Sequence, residues 1–100
     1  MIQVNGTIEL AQPVDAALQK AIVEVVRASR GEPGCLDYSF ARDLADPNVL
    51  IVFERWRDRD ALQSHAASDH MASFQAVIQA TAIASRSLRV YETDEGEPLG

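Results

Sequence analysis

Cysteine is nearly absent from the chain. Cys35 stands alone, which excludes an internal disulfide and a cysteine-rich zinc site. Long apolar runs are missing too: the longest, Val49 to Phe53, falls far below the ~20 residues that cross a bilayer as a helix. No basic stretch followed by an apolar segment opens the sequence, so no signal peptide is expected and the cytoplasm is the default compartment. Basic residues are scarce as well. Nine Lys and Arg against fifteen Asp and Glu give a formal net charge of −6. Nucleic acid and anionic membrane surfaces call for clustered cations, so neither is expected as a partner. There is no phosphate loop, no Gly-x-Gly-x-x-Gly, no Gly-x-Ser-x-Gly and no His-Glu-x-x-His.

What is present is an ordinary globular composition, 47% apolar over 100 residues, enough for one domain. Ile2 to Leu10 alternates apolar and polar strictly, the period of a strand with one buried face. Pro13 fits a first helical position. Val14, Leu18, Ile22 and Val25 then follow at helical spacing, predicting an amphipathic helix from Pro13 to about Ser29. Glu32-Pro33-Gly34 cannot continue it, and Pro33-Gly34 reads as a type II turn with Gly34 at positive φ. Cys35 to Asp43 alternates again, and Asp46-Pro47-Asn48 makes a hairpin connection. Val49 to Trp56 is a strand apolar on both faces, with Val49, Ile51 and Phe53 on one and Leu50, Val52 and Trp56 on the other. Asp58 can cap a helix to about Ala67, and Ser68 or Asp69 another bearing Met71, Phe74 and Val77 or Ile78. Arg86 to Tyr91 is a last short strand. Residues 1–93 are expected as one domain and 94–100 as a flexible acidic tail.

The order β-α-β-β-α-β makes a ferredoxin-like α+β sandwich the economical topology, with a four-stranded antiparallel sheet and helices on one face. The uncovered face is expected to carry Leu50, Val52 and Trp56 beside Asn5 and Thr7. Such a surface is too apolar to stay bare, so a homodimer formed face to face, enclosing a cavity, is expected. His65 and His70 are five positions apart across a helix break, so a metal site made by these two alone is not expected.

Five short segments in order carry a resemblance: Glu32 to Tyr38, Asp46-Pro47-Asn48, Phe53-Glu54-Arg55-Trp56, Ala61 to His65, and Ser68 to Met71. Together they span about half the chain and resemble the antibiotic biosynthesis monooxygenase (ABM) family, in its quinol-monooxygenase-like branch. The resemblance implies a dimeric α+β barrel and a cavity between helices and sheet for a flat, hydrophobic aromatic substrate such as a polycyclic phenol or quinol. It also implies oxygenation without metal or flavin. An electron-rich phenolate can pass an electron to dioxygen itself, so the protein need only bind, deprotonate and shield it.

On that basis His70, then His65, are candidate bases, imidazole being the side chain that titrates near neutrality. Capping or surface roles compete for both. Asn5, on the polar face of the first strand, is a candidate to polarise a carbonyl. Trp56, Tyr38, Phe74 and Glu54 make up the candidate substrate-binding set. Trp56 and Tyr38 serve equally as packing, and Glu54 as one half of an ion pair with an arginine across the sheet or dimer. Cys35 reads as a small buried hydrophobe. Relative to haem-degrading members, the first-strand Asn is displaced by one residue and the last-helix His position falls near Gln75. Haem binding therefore ranks below oxygenase and non-enzymatic ligand-binding readings.

Overall fold

A computed structural model describes residues 1–81 and 83–100. The alternating first segment forms β1 (Ile2–Leu10), followed by α1 (Ala16–Arg30), β2 (Cys35–Arg42), β3 (Val49–Trp56), α2 (Arg59–Ala66), α3 (Asp69–Gln79) and β4 (Ile83–Glu92). The strands make a four-stranded antiparallel sheet in the order β2-β3-β1-β4. With the helices on one face, this is the ferredoxin-like α+β arrangement.

Capping sets the helix starts. Asp15 accepts from the Leu18 N–H at 2.8 Å, so α1 begins after Asp15 and not at Pro13, whose side chain offers no acceptor. Asp58 caps α2 by accepting from the Ala61 N–H at 2.8 Å, and Ser68 caps α3 by accepting from the Met71 N–H at 3.3 Å. As the two cap residues predict, the last helical stretch is two helices with a break at Ala67-Ser68. β4 is longer than the expected Arg86–Tyr91 because it pairs along the whole of β1. Gly6 permits this close ladder: its φ is +150°, and a Cβ there would meet the Ser87 carbonyl oxygen at 1.9 Å.

The face assignment on β3 is the reverse of expectation. Directly opposed residues in a ladder point the same way, and Leu50 pairs with Ile8, Val52 with Gly6 and Trp56 with Ile2. Leu50, Val52 and Trp56 therefore join the buried apolar set of β1 under the helices. Val49, Ile51 and Phe53 face outward beside Gln3, Asn5 and Thr7. Because β3 is apolar on both sides, only its pairing with β1 decides which side is core.

The core has two parts. Ile8, Leu10, Leu18, Val25, Leu50, Val52, Phe74 and Ile78 pack sheet against α1 and α3. Ile2, Tyr38, Trp56 and Ala61 form a second cluster beneath α2. Among the described residues, no helix is long and apolar enough to cross a membrane.

Candidate functional site: a carboxylate shared by two histidines

The turn after α1 positions the site. The Glu32 N–H donates to the Ser29 carbonyl at 3.0 Å and the Cys35 N–H to the Glu32 carbonyl at 3.1 Å. Gly34, at φ +83°, lets the chain double back into β2, and a Cβ there would sit 2.7 Å from the Ala61 Cβ. Glu32 is thereby turned toward the last turn of α2 and the first turn of α3, which supply His65 and His70.

A straight helix would place residues five apart about 140° around its axis. The break at Ser68 removes that separation: the Ser68 hydroxyl donates to the His65 carbonyl at 2.6 Å while capping α3. Both imidazoles then converge on one atom. His65 Nδ1 lies 2.8 Å from Glu32 Oε1, and His70 Nε2 contacts the same oxygen. His65 is almost fully buried, whereas the His70 side chain is 27% exposed.

Aromatic rings fix the inner histidine. Its ring centroid is 4.6 Å from that of Trp56 and 5.0 Å, edge-on, from that of Tyr38. Ser29 Oγ lies 3.5 Å from Nδ1. Trp56 is fully buried, and its Nε1–H donates to Glu54 Oε1 at 2.9 Å. That bond corrects the expected pairing of Glu54 with an arginine: Glu54 is on the helix side of β3, and its partner is the indole two residues along. Burial pushes the Glu54 carboxyl above its ordinary range; the Trp56 hydrogen bond and the nearby His65 pull it back, and the Glu32 charge adds to the rise. Burial likewise raises the Tyr38 phenol, with the Glu54 charge adding to it. The Cys35 thiol is raised by burial and then by Glu32, a setting that disfavours the reactive thiolate.

Outside the cluster, His70, Phe74, Val77, Val25 and Ala28 line a groove of about 290 Å³ between α1 and α3. Phe74 forms its wall and packs edge-on to Phe40 at 5.6 Å. The fold therefore brings His65, His70, Tyr38, Trp56, Glu54 and Phe74 to one region. Asn5 does not join them: it lies on the outer sheet face opposite Phe53, accepting from Gln3 Nε2 at 2.9 Å. Glu32 and Ser29 are the members that reading the sequence missed. Glu32 sits in a Glu-Pro-Gly turn, where its neighbours announce chain reversal and nothing announces an inward carboxylate.

A neutral imidazole that donates one N–H to a carboxylate presents its other nitrogen as the basic atom. Glu32 thus orients two imidazoles with one oxygen.

The fold first defines a class, the ferredoxin-like α+β proteins. The model of the family described as antibiotic biosynthesis monooxygenase matches residues 1–77, and the chain belongs to that family. It is 33% identical over 63 residues to a Mycobacterium tuberculosis protein named "Putative monooxygenase Rv0793", covering 63% of this chain and 61% of that one. It is 31% identical over 83 residues to an uncharacterized Synechocystis protein, covering 83% of this chain and 54% of that one. The chain thus spans only about half to three fifths of the length of these two relatives. A crystal structure from Caulobacter crescentus, described as a "putative antibiotic biosynthesis monooxygenase", superposes with a TM-score of 0.83 at 27% identity, over 94% of this chain and 90% of that one. One from Deinococcus radiodurans with the same description reaches 0.84 at 21% identity, over 100% and 99%, and speaks for the fold alone.

Proposed function

We propose that the chain is a cofactor-independent monooxygenase that forms a homodimer and oxygenates a flat phenol or quinol. Family membership supports the monooxygenase-like role. The observation that carries the finer reading is the pair of imidazoles sharing Glu32 Oε1, with the outer one at an apolar groove.

With Nε2–H held on Glu32, neutral His70 presents Nδ1 as its basic atom. A phenol lying against Phe74 and Val77 gives its proton to that nitrogen, and the carboxylate stabilises the resulting imidazolium. The phenolate then transfers an electron to dioxygen, and the two radicals combine at a ring carbon. Where that carbon carries hydrogen, the peroxide takes the proton back from His70; loss of the C–H proton with cleavage of the O–O bond then leaves one oxygen as a ring carbonyl and releases the other as water. His65, packed against both Trp56 and Tyr38, keeps Glu32 in place, so Trp56 acts through His65 and not as a wall of the groove. At about 290 Å³ the groove sits at the low end of the ~300–1,000 Å³ common for ligand sites, and suits two or three fused rings.

The test is oxygen uptake, with water and not hydrogen peroxide as co-product, by metal- and flavin-free protein with an anthrone-type phenol whose reacting ring carbon carries hydrogen. His70→Ala should cut the rate by ~10²–10⁴-fold while leaving ligand binding largely intact. Binding of a flat apolar dye with no rate above background across several phenols would replace the oxygenase by a non-enzymatic ligand-binding module.

A further inference from the structure

Among the described residues, Glu32, His65 and His70 are the one set in which three side chains of metal-ligating type converge, with their donor atoms all within 4.8 Å of one another. We propose that this cluster is a binding site for a divalent transition cation of the zinc class, held by His65 Nδ1, His70 Nε2 and the Glu32 carboxylate.

The chemistry of the donors selects the ion. Two imidazoles and one carboxylate suit Zn²⁺, Co²⁺, Ni²⁺ or Cu²⁺ far better than Mg²⁺ or Ca²⁺, which take oxygen ligands. One distance is already close to that required, and the widest separation in the set, no more than 4.8 Å, must close by up to about 1.5 Å. A four-coordinate ion with bonds of ~2.0–2.1 Å spaces its ligand atoms roughly 3.3 Å apart. His65 Nδ1 would withdraw from Glu32 Oε1 by about half an ångström from its present 2.8 Å. His70, the partly exposed member, sits in the first turn of α3 and can adjust by side-chain rotation. Three ligands on three separate segments leave a coordination position free, as in sites that keep an exchangeable water.

The surroundings favour a cation. The Glu54 carboxylate lies close enough to interact with His65, Glu24 lines the adjoining groove, and the chain as a whole carries −6. The groove beside His70 gives access from solvent. The pattern is also hard to see from sequence, because two ligands flank a helix break and the third lies more than thirty residues earlier.

Binding has one consequence that rests on the oxygenase reading. A metal on His70 Nε2 obliges the imidazole to carry its proton on Nδ1, the atom assigned as base. The cation then inhibits the reaction, because with the metal on Nε2 and the proton on Nδ1 the ring has no free lone pair to accept the phenolic proton.

The decisive measurement uses the chelator-treated chain titrated with Co²⁺ alone, which is then displaced by Zn²⁺. Co²⁺ should produce the intense visible d–d bands of a low-coordinate site with nitrogen ligands, at one ion per chain, and Zn²⁺ should abolish them. Emission of Trp56, the one tryptophan, should be quenched in parallel, since its ring is 4.6 Å from that of His65. Glu32→Gln and His70→Ala, each verified as folded by circular dichroism, should weaken binding on the order of a hundredfold or more, at least the loss seen when an outer-shell partner of a metal is removed. Absence of bands up to about 1 mM Co²⁺ would overturn the site. So would bands that persist unchanged in both variants, which would locate the ion elsewhere, as on the acidic tail. Oxygenase activity enters neither outcome: a protein that binds Co²⁺ without oxidising phenols keeps the site and loses the oxygenase reading, and the converse keeps only the latter.

Discussion

The indole Nε1–H of Trp56 donates to Glu54 Oε1 at 2.9 Å, two residues along the helix-facing side of β3, where both side chains are buried. Among the described residues this bond is the one that the carboxylate accepts, and it is the one use of the indole donor. Trp56→Phe leaves Glu54 buried without that partner, a loss of about 1–3 kcal/mol that adds to the lost ring packing. Glu54→Gln keeps a carbonyl oxygen for the indole and should cost clearly less. Urea midpoints for the two variants check the order; equal losses would mean that the amide does not keep the indole hydrogen bond.

Gly34 sits at φ +83° with the Ala61 Cβ within 2.7 Å of where its own Cβ would be. Gly34→Val should cost on the order of 1–3 kcal/mol from backbone strain alone, with the clash against α2 in addition. For a domain of this size, each kcal/mol lowers the melting temperature by roughly 4–8 °C. Because the same turn aims Glu32, the variant should also lose phenol oxidation more than its stability loss explains. An unchanged melting temperature would show that the turn relaxes freely.

Asp58 caps α2, and the Ala61 N–H, then the Arg57 guanidinium, hold its carboxyl below the ordinary value of 3.8. A folded-state value below the unfolded one means that the ionised carboxylate stabilises the fold above the unfolded value. That contribution is lost as the pH falls through the folded value. Asp58→Asn keeps a cap acceptor but removes the titration. Its melting temperature should lie below that of the native chain at pH 7, and the two should converge between about pH 5 and pH 2. Parallel curves across that window would show that the charge contributes nothing.

The fold was largely legible because each strand and cap is written locally. Alternation in Ile2 to Leu10, acceptors at Asp58 and Ser68, and Pro33-Gly34 before β2 each announce one element. α1 begins later than Pro13 suggests, since an Asp acceptor at position 15 outweighs a proline that is merely tolerated. The faces of β3 were not legible, because Leu50-Val52-Trp56 and Val49-Ile51-Phe53 are equally apolar and only the partner strand distinguishes them. The site divides in the same way. His65, His70 and Trp56 stand out as residue types, whereas Glu32 is an acid in a turn whose inward aim depends on the tertiary return of the chain. Its one sequence signal is that it heads the first family-like segment. Asn5 fails for the opposite reason: its residue type suits the chemistry, but strand parity puts it on the other side of the sheet.

That outer side motivates the last prediction. Val49, Ile51 and Phe53 stand outward on β3 with Tyr91 across the face on β4, and Ile51 and Tyr91 are 42% and 44% exposed. Arg55 lies over the Phe53 ring at 5.5 Å, covering part of it. An apolar strip flanked by Gln3, Asn5 and Thr7 suits a second copy of the same face, and the proposed homodimer should bury well over ~1,200 Å² in total. In a two-fold interface each substitution occurs twice, so Ile51→Asp places two carboxylates in the seam, where burying unpaired charge costs several kcal/mol. Each 1.4 kcal/mol is tenfold in affinity, so the dimer should weaken on the order of a hundredfold or more, with helical content unchanged. Sedimentation equilibrium at micromolar concentration should give a dimer for the native chain and a monomer for Ile51→Asp. A native monomer would remove the homodimer from the proposed function while leaving the Glu32-His65-His70 cluster untouched, since that cluster lies on the opposite side of the sheet and is complete within one chain.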